Sequence, residues 1–588
     1  MRPERKRLSA GVTAAIAVTA LAILPVAAAG TEAPVRLPPA GQWDRYAASA
    51  VDSVVELAPM RRSESATAAD GSTLRLTALH PAVNTWYLLE RTPPEGSWTP
   101  ADQWHLENAD PDRWRVRLEP GDTPGLIIEG GGEATTCRPW DETGGQSEME
   151  TAARSGLPFA PVCGQKLYLR NAVAGNRTNR EAVSDFLRQN VIFGDSLVNL
   201  IKGSFYEDAF LESAFTAQDA PVGEVVASLG RARLDRRPVM RTSMGLPLIG
   251  AEGGMEAGSW YAVEEAEGVF ASAMQPGMID ADLLGDRAVN WLDGVESNAD
   301  VYLVAFDLDR FELGYELGTD HPTLGWSSRP QRSGEDWRLP GPDGFDRSAP
   351  LVRTGMLSPA LTARVAAAFA GGFKRDHGAF RFGDYATFNR GHHYGMLANG
   401  VTFSRLQPNL ATVTVTLDGE IDMKTWTEAD TPTIPNLAFA RQNGVPLVAR
   451  DPQTGLVVPG ERVTSWGGGN WSGSAEAQLR TLRAGACLRE TGGRQFLIYA
   501  YFSAATPSAM ARTFQAYECD YAMLLDMNSP ELTYLAVYRP RPAGDGIEPL
   551  HLSNYMAASD PSGRGGERIP RFVGFADNRD FFYLLRKE

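Results

Sequence analysis

Asp526 closes a short apolar run, Tyr521–Leu525, that reads as a buried strand. Before it, Thr506-Pro507 opens a helix running to about Tyr517, and Phe496–Tyr501 reads as another buried strand. Such a unit sets Asp526 at the carboxyl end of a strand, where open sheets present their chemistry. A carboxylate there can activate water or face a cationic centre, or it can cap the turn that ends the strand. Arg441 and Arg483 carry guanidinium forks that match two oxygens of a phosphate; their other role is ion pairing. His377, His392 and His393 are three of 7 histidines. They can shuttle protons or donate to phosphate, or they can be structural, and their spacing fits no metal motif.

The elements that must position these groups are legible in the second half. Val301–Phe306 is a strand, and Ser358-Pro359 opens a helix that leads toward Gly371-Gly372. Ala411–Leu417 alternates Thr with apolar residues, and Asp418-Gly419 turns it into Ile421–Trp426, a hairpin. Residues 326–348 read as an exposed loop. Gly467-Gly468-Gly469-Asn470-Trp471 is either a substrate loop or a turn with Trp packed beneath it. In the first half, Thr178-Asn179-Arg180-Glu181 has the pattern of a capping box for a helix reaching about Phe215. No fixed-period repeat, Gly-x-Ser-x-Gly elbow, HExxH or P-loop is present.

The chain's 588 residues, with 43% hydrophobic content, suffice for several domains with sizeable cores. Its 59 Gly and 39 Pro favour a β-rich or mixed fold over a helical bundle. A net charge of −16 excludes nucleic acid as the expected partner, because phosphate backbones are repelled. Arg2, Arg5, Lys6 and Arg7 precede an apolar stretch from about Ala10 to Ala29 that ends in Ala27-Ala28-Ala29. This is a signal peptide over residues 1–30 or an uncleaved signal anchor that would tether the chain to a membrane. The remainder is expected outside the cytoplasmic membrane: periplasmic, extracellular or N-terminally anchored. Four cysteines in an exported chain suit two disulfides, with Cys137–Cys163 and Cys487–Cys519 preferred among three connectivities; free buried thiols are the alternative.

Several segments, in order, resemble the phosphodiester glycosidase domain family. Val301–Phe306 with Leu313-Gly314-Tyr315-Glu316-Leu317-Gly318-Thr319 is similar to its first hairpin. Ala368–Phe373 resembles its N-G-G-F core, and Gly395–Gly400 its G-x-x-x-N-G segment. Asn436–Val448 carries Arg441-Gln442-Asn443 and Pro446-Leu447, like the R-Q-N-x-P-L run of bacterial members. Arg483-Ala484-Gly485 resembles a family strand, and Leu524–Asn528 stands where the family has L-D-G-G-G. Ala370 replaces the core Asn, and Met527 and Asn528 replace glycines of the hallmark loop. Met527 would fill space that glycine leaves open, whereas Asn528 tolerates left-handed backbone.

The resemblance covers about 300 to 588 and implies cleavage of a bond between a sugar C1 and a phosphodiester oxygen. Phosphate leaves readily, so the site must hold an anion, stabilise an oxocarbenium-like centre and direct water. In that reading Asp526 and His377 are catalytic. Arg441, Arg483, Asn399, Asn528, Gly371, Gly372, His392 and His393 bind substrate, with the asparagines either orienting sugar hydroxyls or making turns. The expected architecture is α+β: a mixed-sheet, phosphodiester glycosidase-like domain over 296–588, preceded by a linker at 31–60 and a β-rich or mixed domain at 61–295. The expected function is an exported hydrolase of sugar-phosphodiester linkages in envelope or extracellular glycans, with no cofactor and no metal ligands assigned; a metal-dependent hydrolase is a distant third reading. The alternative is a non-catalytic glycan-binding or assembly protein of the cell envelope.

Overall fold

Strands whose two faces are both apolar must be covered on both sides, and this governs the architecture. In the computed structural model, which describes residues 58–143, 145–177, 224–320, 349–372, 393–465, 480–541, 546–563 and 566–588, Arg494–Ala505 sends Leu497, Tyr499 and Tyr501 to one face and Phe496, Ile498, Ala500 and Phe502 to the other. That alternation is the period-two geometry of a strand. It lies inside an eight-stranded sheet, ordered Tyr261–Ala262, Val269–Met274, Val301–Asp307, Arg494–Ala505, Thr481–Thr491, Tyr521–Met527, Val448–Arg450 and Val457–Pro459. Strands from both sides of residue 296 therefore share one sheet.

One face of this sheet is covered by the helix Pro507–Ala516 and its neighbours. The other shares a core with two five-stranded sheets. The first runs Phe311–Glu316, Phe581–Arg586, Val365–Ala370, Leu535–Pro540 and Ile547–His551. The second runs Val401–Ser404, Met396–Ala398, Leu437–Gln442, Ala411–Thr416 and Ile421–Thr425. A six-stranded sheet from the first half includes Trp86–Thr92, Asp102–Asn108 and Leu167–Arg170.

The α+β, mixed-sheet expectation is overturned. Of the described residues, 42% are strand and 12% helix, and every strand pairing within the sheets is antiparallel. The reason lies in the strand–helix–strand unit at 494–527. Its two strands do not touch: Thr481–Thr491 lies between them, antiparallel to both. The helix expected at Ser358-Pro359 is a single 3-10 turn, Pro359–Leu361. Both preferred disulfides form, Cys137–Cys163 and Cys487–Cys519. Two such bridges belong to a chain that matures in an oxidising, extracellular or periplasmic compartment. The second pins the end of the Pro507–Ala516 helix to the strand beneath it.

No helix among the described residues is long and apolar enough to cross a membrane. The N-terminal segment at 1–30, the helix expected from Thr178 to Phe215, the loop at 326–348, His377, His392 and Gly467–Trp471 lie outside the described residues.

Candidate functional site

A β-bulge aims Asp526. In the pairing of Tyr521–Met527 with Thr481–Thr491, Leu524 faces Gly485 but Met527 faces Arg483. Leu525 and Asp526 together therefore oppose Ala484. An extra residue of this kind turns a side chain to the face it would otherwise leave. Leu525 and Ala484 belong to the core shared with the five-stranded sheets, and Asp526 joins them on that side, bonded to Arg579 and acting on the Tyr499 hydroxyl. Its Oδ1 accepts from the Met527 amide at 2.8 Å. Its Oδ2 accepts from Arg579 Nη1 at 3.0 Å.

Arg579 and Asp580 lead directly into the strand Phe581–Arg586, whose neighbour Val365–Ala370 ends at Gly371-Gly372. The two chain ends run side by side. The Gly371 amide donates to the Asp580 carbonyl at 2.9 Å, and Arg579 Nη1 donates to the Gly372 carbonyl at 2.9 Å. Gly372 has φ +137°, and a Cβ there would stand 2.9 Å from Asn443 Nδ2. Glycine is thus required both for the backbone angle and for the close approach.

Arg441, on Leu437–Gln442, reaches the same place from the second five-stranded sheet. Its Nε donates to Asp580 Oδ2 at 2.5 Å, and its Nη1 to the Gln442 carbonyl. The Tyr315 hydroxyl donates to the same Asp580 Oδ2 at 2.9 Å. Burial works against the Arg441 charge, but Asp580 outweighs it and holds the guanidinium pKa above its usual value. Burial, reinforced by Asp580, pushes the Tyr315 hydroxyl well above the usual range. Asp526, Arg579, Asp580 and Arg441 are all nearly fully buried. Beside them the Asn443 side chain, also fully buried, makes no hydrogen bond to any described residue with either of its polar atoms, and neither does Asp580 Oδ1. Unsatisfied buried polar atoms are costly, so a cluster of them marks a place for a polar ligand or ordered water.

Asp526, Arg441, Gly371 and Gly372 thus come together. Arg483 does not join them: it lies on the opposite face of the sheet, donating through Nε to the Ala505 carbonyl at 2.7 Å. Burial lowers its pKa to about 9, with Glu296 opposing. Met527 lies on that same far face, its Sδ 3.9 Å from Arg483 Nη1, so it does not plug the Asp526 side. Asn528 takes φ +84°; its backbone N–H donates to Leu482 O, and its Oδ1 accepts from Thr481 Oγ1 at 3.4 Å. Asn399 and Gly400, at φ +49° and +74°, form the tight turn between Met396–Ala398 and Val401–Ser404. That turn is at the strand end away from Gly395, which pairs with Gln442 beside Asn443. His393 is buried just ahead of Gly395.

Sequence reasoning gave no role to Arg579, Asp580, Tyr315 or Asn443. The available signal for the first two was a charged pair standing immediately before the apolar run Phe581–Leu585.

No family model and no curated protein matches the chain. Among solved structures, the catalytic domain of zebrafish N-acetylglucosamine-1-phosphodiester alpha-N-acetylglucosaminidase, auto-inhibited by its pro-peptide, aligns over 55% of this chain and 85% of its own at 9% identity and a TM-score of 0.28. A hypothetical protein from Synechocystis aligns over 85% of this chain and 97% of its own at 10% identity and a TM-score of 0.27. Likenesses at these scores are too low to establish a shared fold.

Proposed function

We propose that the chain hydrolyses sugar-phosphodiester linkages at the Asp526–Arg441 site. The observation that carries this reading is the convergence of a bulge-aimed carboxylate, two buried guanidinium groups and the unpartnered Asn443 amide on the Gly371-Gly372 approach. In this mechanism Asp526 directs water or faces the developing cationic carbon, held in place by Arg579. Arg441 supplies positive charge to the phosphate oxygens, with Asp580 and Tyr315 fixing its orientation. The Asn443 amide, with one donor and one acceptor side, bonds a sugar hydroxyl or a phosphate oxygen. Glycine at 372 lets Asn443 and Arg441 come close to the backbone there. Met527 lies on the far face beside Arg483, so its side chain does not fill the Asp526 side.

The test is incubation of the purified protein, from residue 31 onward, with a panel of sugar-1-phosphodiesters. Release of free sugar is the expected result. Binding of anionic glycans without any release across the panel would sink the hydrolase reading and leave the glycan-binding one.

A further inference from the structure

A second region carries chemistry that the Asp526 site does not use. A cleft of about 300 Å³ opens on the opposite side of the eight-stranded sheet, bordered by Trp291, Arg236, Asn298, Ser297, Met278 and Leu284. Its size is at the lower end of the roughly 300–1,000 Å³ typical of small-ligand pockets. Leu284 and Leu292, next to Trp291, pack against the core on the helix-covered face.

Trp291 is 71% exposed, unusual for so large an apolar ring. Its exposure does not come from a loose loop. Just ahead of it, the buried Arg512 guanidinium donates to the carbonyls of Leu283, Asp286, Val289 and Asn290. Just behind it, Asp293 caps the helix Gly294–Asn298 in a reciprocal box with Glu296. The backbone is clamped on both flanks, and the exposed indole lines the cleft.

The polar rim is equally specific. Arg236 is anchored by Nη2 on the Gly277 carbonyl at 3.2 Å, and Asn298 by Nδ2 on the Gly294 carbonyl at 2.7 Å. Arg236 and Asn298 are both exposed, so the guanidinium's remaining N–H groups and the Asn298 oxygen are available to a ligand. A flat apolar face beside hydroxyl-bonding groups matches a pyranose, which has a C–H face and a hydroxyl edge. The Arg236 charge disfavours a cationic ligand, and the polar rim disfavours a purely apolar one. We infer that this cleft is a non-catalytic saccharide-binding site, with a sugar ring stacked on Trp291 and its hydroxyls bonded by Arg236 and Asn298.

This inference does not depend on hydrolysis at Asp526, and a binding readout keeps the two separate. Calorimetric titration of the protein from residue 31 onward would use maltohexaose, chitohexaose and a β-1,4-linked glucan hexamer. At least one should bind. Trp291→Ala should weaken that binding by about tenfold, and Trp291→Phe should restore most of it. Asp526→Asn should bind as the parent does. Because Trp291 is exposed, Trp291→Ala should fold, which circular dichroism would check. Failure of all three oligosaccharides to bind, or binding by Trp291→Ala equal to the parent's, would overturn the site. So would binding lost in Asp526→Asn but kept in Trp291→Ala.

Discussion

Arg170 is wholly buried between two carboxylates, Glu107 of the first-half sheet and Glu316 of the strand that also carries Tyr315. One positive charge cannot neutralise two negative ones, and burial penalises the excess. Burial, opposed by Arg170 and reinforced by Glu107, raises Glu316 from 4.5 to about 7. A carboxyl whose folded pKa is raised contributes stability below its unfolded pKa, and that contribution is lost as pH rises through the folded value. The gap between 4.5 and about 7 corresponds to about 3 kcal/mol at about 1.36 kcal/mol per pH unit. About 2.5 kcal/mol of this should disappear between about pH 5 and pH 8. Glu316→Gln keeps an acceptor for Arg170 and cannot ionise. Denaturant unfolding followed by tryptophan fluorescence should therefore show the parent losing about 2.5 kcal/mol relative to Glu316→Gln over that range, with the variant the more stable at pH 8. Parallel stability–pH curves for the two proteins would show that Glu316 carries no such pH dependence.

Other perturbations give separate checks. Gly372→Ala puts a Cβ 2.9 Å from Asn443 Nδ2 at φ +137°, so unfolding measurements should show a loss of about 1–3 kcal/mol together with impaired sugar release. Asp580→Asn takes the charged partner from buried Arg441, and denaturant titration should show a loss of about 3–5 kcal/mol. Replacing Cys487 and Cys519 together by Ala opens a link between residues 32 apart, and should cost about 2–4 kcal/mol by the same measurement. Arg483→Met, on the far face from Asp526, should leave KM for a phosphodiester within about twofold of the parent's, since its side chain points away from the site.

The sequence shows an element plainly where one short segment decides the outcome. The alternation at Ala411–Thr416 and the turn at Asp418-Gly419 give the hairpin that forms, with Gly419 at φ +85°. Thr506-Pro507 begins the helix Pro507–Ala516, although the Thr506 side chain makes no capping bond. Fold class was misread because it depends on Thr481–Thr491 intervening between two strands that are adjacent in sequence, a long-range pairing with no local mark. The same difficulty hid half of the site. Asp526 and Arg441 drew notice by residue type and family resemblance. Arg579 and Asp580 are brought to them by the pairing of Phe581–Arg586 with Val365–Ala370. Arg483 is one register position from Asp526, but the bulge sends the two side chains to opposite faces.

The central claim is that Asp526 acts on substrate and does not merely pair with Arg579. Steady-state sugar release should be measured for the parent and for Asp526→Asn, at a temperature where circular dichroism shows both folded. The expected result is a kcat reduced by about 10²–10⁴-fold in the variant, the range for loss of a positioned acid or base, with KM little changed. Equal kcat in two folded proteins would contradict it and return Asp526 to a structural role.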